Sequence, residues 1–199
     1  MTMTPKQQER IKNKIKKIKA ALAADKKRWG GYHHDGQGLR YAPPQFYIQI
    51  EDYTGGLRYF NWFNKNFPGD GCYPDFLFEW TLILFKTGRL KEAEKKAFET
   101  FTEDTKVFDE FFERPMIPVG KSEDSDAEGA ASLTGKFPYS YKQDFLTDFS
   151  DWLYKVIQSE NFMAQMIKFQ EIEKLLEEED DSETRGHLYD QARQLVNKI

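Results

Sequence analysis

The residues best suited to chemistry lie in one loop, where His33, His34 and Asp35 are followed by Arg40. Imidazole and carboxylate groups can bind a metal ion or exchange a proton, and a guanidinium can hold an anion. Adjacent side chains rarely share one ion, and no helical His pair at metal-ligand spacing follows. The sequence therefore predicts no metal and no cofactor. An enzyme built on this loop remains a hypothesis that requires further groups to converge on it.

Other reactive residues also lack the partners that catalysis requires. Cys72 has no neighbouring His to accept its proton, and His187 is isolated in the predicted last helix. Gly36 and Gly38 are not accompanied by the Lys and the strand of a phosphate-binding loop. We therefore expect a protein that is not an enzyme.

The same loop has a second interpretation, as a binding segment. It is long and contains Tyr32, Arg40 and Tyr41, and loops of this kind often contact partners. Alternatively, Tyr32 and Tyr41 wedge the first helix against the body of the protein. Both interpretations remain open at this point, and the three residues are candidates for partner binding.

An antiparallel helix hairpin is predicted between Pro74 and Asp104. Apolar residues recur at spacings of three and four in both arms, which is the helical period. They are Leu77, Trp80, Leu84 and Phe85 in the first arm, and Leu90, Ala93, Ala97 and Phe101 in the second. Gly88 ends the first arm, because a residue without a Cβ takes the left-handed conformation easily.

This hairpin resembles a tetratricopeptide repeat. The matching residues are Leu77, Trp80, Leu84, Gly88, Leu90 and Ala93, while Ala97 replaces an aromatic residue and Thr105 replaces the closing Pro. A weaker copy, offset by 37 residues, contains Tyr47, Tyr53, Gly56, Phe60 and Pro68. The resemblance covers residues 43–105. It implies an all-α fold of antiparallel hairpins of the alpha–alpha superhelix type, and a non-catalytic adaptor that binds a protein or peptide.

The resemblance also implies a binding groove, because the first helix of each repeat lines a concave surface. It places Asp75, Phe78, Leu82, Phe85 and Lys86 in that groove. Burying each large apolar side chain is worth roughly 1.5–3 kcal/mol, so an uncovered groove would be costly. Either a partner or the chain's own first or last helices cover it. With only two repeats, covering by the chain itself is favoured, since short arrays need caps.

Composition limits the class of protein. The chain has 199 residues, 16% aromatic residues and one Cys, which together indicate a protein with a core and without internal disulfides. No apolar run approaches the roughly 18 residues of a membrane span, and no signal segment is evident, so we expect a cytoplasmic protein with no membrane association.

Charge is unevenly distributed. The chain carries a net charge of −4, yet residues 4–29 contain ten Lys or Arg against Glu9 and Asp25. A capping box at Thr4 and Gln7 starts a predicted basic helix with an apolar face of Ile11, Ile15, Ile18, Leu22 and Trp29. Such a helix can bind nucleic acid, anionic lipid or a partner groove, or dock by its apolar face and leave its lysines in water. A nucleic-acid-associated protein is therefore the alternative function, although the lysines lack interleaved aromatic residues.

Four regions are predicted along the chain. They are a basic amphipathic helix at residues 1–31, the repeats at 32–112, a flexible acidic linker at 113–140 and C-terminal helices at 141–199. The linker assignment follows from its Pro, Gly and acidic residues.

Overall fold

The structure is a computed structural model that describes residues 3–114 and 137–199. These residues form helices and contain no strand, which confirms the predicted all-α class. The helices are α1 (Pro5–Arg28), α2 (Pro43–Gln49), α3 (Tyr53–Asn66), α4 (Pro74–Lys86), α5 (Leu90–Glu103), α6 (Val107–Phe112), α7 (Thr147–Ile157), α8 (Glu160–Glu178) and α9 (Ser182–Val196). None of the helices in these two ranges has the length and apolar character needed to cross a membrane.

Helix α1 begins at the predicted capping box. The Thr4 hydroxyl accepts the Gln7 amide proton at 3.3 Å, and the Gln7 side chain accepts the Thr4 backbone N–H at 2.8 Å. Ile15 and Leu22 are buried where α1 packs on α2 and on the loop that connects these two helices. Ile15 and Leu22 of the predicted apolar face therefore dock the helix to the rest of the chain, whereas Trp29, also predicted on that face, follows the end of α1 and is 49% exposed.

Helices α2 to α5 form two consecutive hairpins with an internal period of 37 residues. That interval separates the ends of α2 and α4, and both ends of α3 and α5. The same interval relates Glu51 and Gly88, which both adopt the left-handed conformation in the turn, with φ of 55° and 76°. These helix boundaries of the two hairpins are thus related by one interval, and α2, with 7 residues, is shorter than α4, with 13.

Small residues allow the hairpin helices to approach closely. A Cβ on Gly56 would lie 2.5 Å from Cδ1 of Ile83, so a larger residue there would force the buried Ile83 side chain between α3 and α4 to move. In the second hairpin, Ala93 and Ala97 are fully buried. The Thr81 and Thr100 hydroxyls meet at 3.3 Å between α4 and α5.

The C-terminal helices share one hydrophobic core with the hairpins. Phe149 of α7 packs against α4, while Phe162 and Phe169 of α8 contact Phe98 and Phe101 of α5 at ring-centroid distances of 5.3 and 5.9 Å. Helix α9 packs on α8 and α5. Most of the predicted linker, residues 115–136, lies outside the described residues, whereas residues 137–140 are non-helical and pack on α4.

Candidate functional site

The predicted groove on α4 is filled by the chain itself. Phe78 and Leu82 are both 0% exposed. The Phe78 ring contacts four others, those of Phe111, Phe137, Tyr139 and Phe149, at centroid distances of 5.0, 4.9, 5.3 and 5.5 Å. In this conformation, neither Phe78 nor Leu82 offers a surface to a partner. The chain supplies the cover, as the shortness of the repeat array led us to expect, but from residues 137–140, α6 and α7 rather than from the first or last helix.

Residues 137–140, here called the aromatic segment, are anchored to α4 by a buried hydrogen bond. The Tyr139 hydroxyl donates to Oε1 of Glu79 at 2.6 Å, and both residues are buried. Burial raises the pKa of Glu79 well above its ordinary value, and the nearby Asp75 charge acts in the same direction. Burial, followed by the charge of Glu79, likewise raises the pKa of Tyr139. The hydrogen bond satisfies two polar groups that would be costly to bury alone.

The other three predicted groove residues, Asp75, Phe85 and Lys86, lie near the two ends of α4. Asp75 is 7% exposed, and its carboxylate accepts the Phe76 backbone N–H at 3.0 Å. Phe85 is half-buried against rings of α7. The Lys86 ammonium forms an ion pair with Asp148 and donates to the Phe145 carbonyl at 2.9 Å. All five predicted residues thus lie on α4, where Phe78, Phe85 and Lys86 contact segments that follow the linker.

The loop that contains His33, His34 and Asp35 is organised around Arg40, whose guanidinium forms hydrogen bonds with two carboxylates. Its Nε donates to Asp70 at 2.7 Å, and its Nη1 donates to Asp35 at 3.1 Å. The Tyr41 hydroxyl donates to the second Asp70 oxygen at 2.7 Å and accepts from Arg40 Nη2 at 2.9 Å. Tyr59 donates to the Arg40 carbonyl at 2.7 Å. This network joins the loop to the α3–α4 connection.

Hydrogen bonds within this network keep the Arg40 guanidinium charged. Burial alone would lower the pKa of Arg40, but the hydrogen bonds to Asp70 and Asp35 outweigh it and raise the pKa above its usual value. Burial raises the pKa of the Tyr41 hydroxyl, and the hydrogen bond to Asp70 raises it further. Removing one partner of such a hydrogen-bonded pair would leave the other charge without compensation in a partly buried site. Arg40 and Tyr41, both predicted as partner-binding residues, are therefore engaged inside the protein.

The two loop histidines have different surroundings. The His33 side chain is 3% exposed and lies against Trp62 and Phe67, at centroid distances of 5.6 and 4.8 Å. Neither of its ring nitrogens has a hydrogen-bond partner in the described chain. His34 instead stacks on Trp29 at 4.9 Å with an interplanar angle of 19°. Tyr32, between them and α1, is 80% exposed. Of the three loop residues predicted to bind a partner, Tyr32, Arg40 and Tyr41, Tyr32 is the one whose side chain is largely exposed.

Cys72 lies in a protected environment. Its Sγ donates to the Asp70 carbonyl at 3.4 Å, and burial raises the pKa of the thiol to about 12. A thiol in that state is a poor nucleophile at neutral pH. Among the residues that the structure describes, no three His, Cys, Asp or Glu side chains are grouped as a metal site would require.

Two features were not predicted from the sequence: the buried hydrogen bond between Tyr139 and Glu79, and the stacking of Trp29 on His34. Glu79 is the one charged residue between Phe76 and Phe85, and a lone carboxylate there is a signal for a buried hydrogen-bond partner. The stacking of Trp29 and His34 depends on the turn at Gly30 and Gly31, which periodicity does not describe.

Comparisons with protein-family models, curated proteins and solved structures found no match to this chain. The resemblance to tetratricopeptide repeats therefore rests on the residues and the 37-residue period of the two hairpins.

Proposed function

We propose that the chain is a non-catalytic protein-interaction module of tetratricopeptide-like type, whose α4 groove binds an extended aromatic peptide segment of a partner. The observation that carries this proposal is the aromatic segment itself. Residues 137–140 lie in the groove as a peptide ligand would, with two aromatic side chains against Phe78 and a hydroxyl bonded to Glu79.

The contacts define the chemistry that the groove accepts. In an extended chain, alternate side chains point to the same side, so Phe137 and Tyr139 both face α4. Pro138 has no N–H to satisfy and is predisposed to extended backbone. The groove thus fits an aromatic residue, one spacer and a tyrosine, with the tyrosine hydroxyl donating to Glu79.

Space is available beside the aromatic segment for the flanks of a competing peptide. A cavity of about 870 Å³ is bordered by Pro138 and Tyr139 on one side and by residues of α1 and α2 on the other. Its wall includes polar side chains such as Gln45, Gln49 and Lys142. A partner segment could enter along this cavity while the chain's own segment leaves, which is how peptide exchange in such a groove would proceed.

Binding of an added peptide to the groove tests the proposal. The probe is a fluorescent peptide with the sequence of residues 137–143, and the protein variant is the full chain with Phe137→Ser and Tyr139→Ser, which removes both ring anchors. We expect the peptide to bind this variant at least tenfold more tightly than the unchanged chain, and to raise its melting temperature. The reason is that the groove is vacated but still lined by Phe78 and Glu79.

Two controls make this result interpretable. A peptide in which the residues corresponding to Phe137 and Tyr139 are replaced by Ser, with Tyr141 retained, should not bind. The variant Tyr141→Ala, at a ring that is 40% exposed, should bind no better than the unchanged chain. If the vacated variant remains folded by circular dichroism and binds neither peptide, or binds both equally, the groove is not a peptide site and the proposal fails.

A further inference from the structure

A second surface, separate from the α4 groove, is formed by the exposed faces of α1. The helix carries ten Lys or Arg, and nine of these side chains are exposed: Lys6, Arg10, Lys12, Lys14, Lys16, Lys17, Lys19, Lys27 and Arg28. Within residues 3–114 and 137–199, none of the ten forms an ion pair. The described part of the body therefore places no acidic side chain within ion-pair distance of this helix. At 1.5 Å per residue, its 24 residues distribute these positive charges over about 36 Å.

Aromatic rings lie at the C-terminal end of the same helix. Trp29 is 49% exposed and stacks on His34, and Tyr32 is 80% exposed beside them. We call these three residues the aromatic end of α1. The Arg28 guanidinium lies 6.0 Å from the Trp29 ring, so charge and ring surface are contiguous.

The aromatic end is held in place before any ligand binds. Gly30 and Gly31 turn the chain with φ of 64° and 102°, and a Cβ on either would meet no atom of the described chain within 4 Å. The Asp25 carboxylate accepts the backbone N–H groups of His34 and Asp35 at 2.8 and 3.1 Å, which ties this part of the loop to the end of α1. The stacked rings of Trp29 and His34 are thus preorganised and open to solvent, which lowers the entropic cost of binding.

We infer that α1 and its aromatic end bind single-stranded nucleic acid, with the lysines along the phosphates and bases stacked on Trp29 and Tyr32. Base stacking on aromatic side chains combined with a basic track along the backbone is the usual chemistry of single-strand binding. This inference is independent of the peptide groove on α4.

Other polyanions fit these observations less well. An amphipathic helix binds a bilayer by inserting its apolar face, but Ile15 and Leu22 of α1 are already buried against the body. An acidic peptide would satisfy the lysines, but its charge-bearing residues, Asp and Glu, carry no ring that would stack on Trp29 and Tyr32. Nucleic acid is the polyanion that offers both phosphates and planar bases.

Fluorescence anisotropy with a labelled oligonucleotide of 20 thymidines tests the inference. We expect the full chain to bind, with an affinity that falls steeply as salt increases. Replacing Trp29 and Tyr32 by Ala should weaken binding at least tenfold, because stacking on each ring is lost. Replacing Lys16, Lys19 and Lys27 by Gln should reduce the slope of log affinity against log salt by about 2, at roughly 0.7 per phosphate contact.

The matched control removes the same charge elsewhere. Lys155, Lys168 and Lys174 are exposed residues of α7 and α8, and their replacement by Gln should leave the slope unchanged. Equal effects of the two triple variants would overturn the inference, as would absence of binding at 50 mM salt. So would preferential binding to vesicles of equal parts phosphatidylserine and phosphatidylcholine, or competition by polyglutamate as strong as by unlabelled oligonucleotide. The melting temperature of each variant shows whether it remains folded.

Discussion

Replacing Phe78 by Ala should lower the free energy of unfolding by about 3–5 kcal/mol, the range for a fully buried aromatic residue. The side chain is 0% exposed and contacts four other rings, from α6, the aromatic segment and α7. Its removal leaves a cavity where four parts of the chain meet, and their rings cannot all move inward to fill it. Urea denaturation followed by far-ultraviolet circular dichroism measures the loss.

Phe145→Ala is the matched control for this substitution. It removes the same side chain from a site that is 37% exposed, and we expect a loss of less than about 1.5 kcal/mol, since less apolar area is returned to water. A small effect of Phe78→Ala, similar to the control, would mean that the groove on α4 is open in solution. In that case the groove would be a bare surface of the kind that the repeat resemblance implies.

Replacing Arg40 by Met should destabilise the chain by about 3 kcal/mol or more, because breaking a buried ion pair leaves unpaired charge behind. The Asp35 side chain is 3% exposed and that of Asp70 is 16% exposed, so water can replace the guanidinium only in part. Asp35 also accepts the backbone N–H groups of Leu39 and Arg40, which limits how far it can move away. Chemical denaturation at neutral pH measures the loss.

Arg193→Met provides the comparison for Arg40→Met. Arg193 pairs with Asp190, but the side chains are 80% and 65% exposed, and such pairs contribute 0–1 kcal/mol. If the two substitutions cost the same, the Arg40 network is solvated in solution and does not hold the loop against the α3–α4 connection.

Local sequence signals predicted the elements of this fold well. Thr4 and Asp52 cap helices because their side-chain oxygens accept backbone N–H groups three residues later, and Gly88 takes a left-handed turn. The 37-residue period of the two hairpins could be recognised in the sequence because small residues, Gly56 and Ala93, occupy equivalent close-packed positions. Each of these features depends on residues a few positions apart or on a repeated pattern.

The candidate sites depend instead on contacts between distant residues. Tyr139 meets Glu79 across 60 positions, and Arg40 meets Asp70 across 30. Hydrophobic periodicity says that Phe78 faces something apolar, but it cannot distinguish a partner from the chain's own aromatic segment. The prediction that Phe78 and Leu82 contact a partner therefore stays a prediction, and the structure adds that the chain's own segment must first leave.

A double-mutant cycle between residues 79 and 139 tests most directly whether the aromatic segment is anchored in the α4 groove. The variants are Tyr139→Phe, which removes only the hydroxyl, and Glu79→Leu, which removes the acceptor while retaining an apolar side chain. We predict a coupling free energy of about 1–3 kcal/mol between them, since removing either group leaves the other buried without this hydrogen bond. Additive effects within about 0.5 kcal/mol would contradict the account, because they would show that the two groups do not meet in solution.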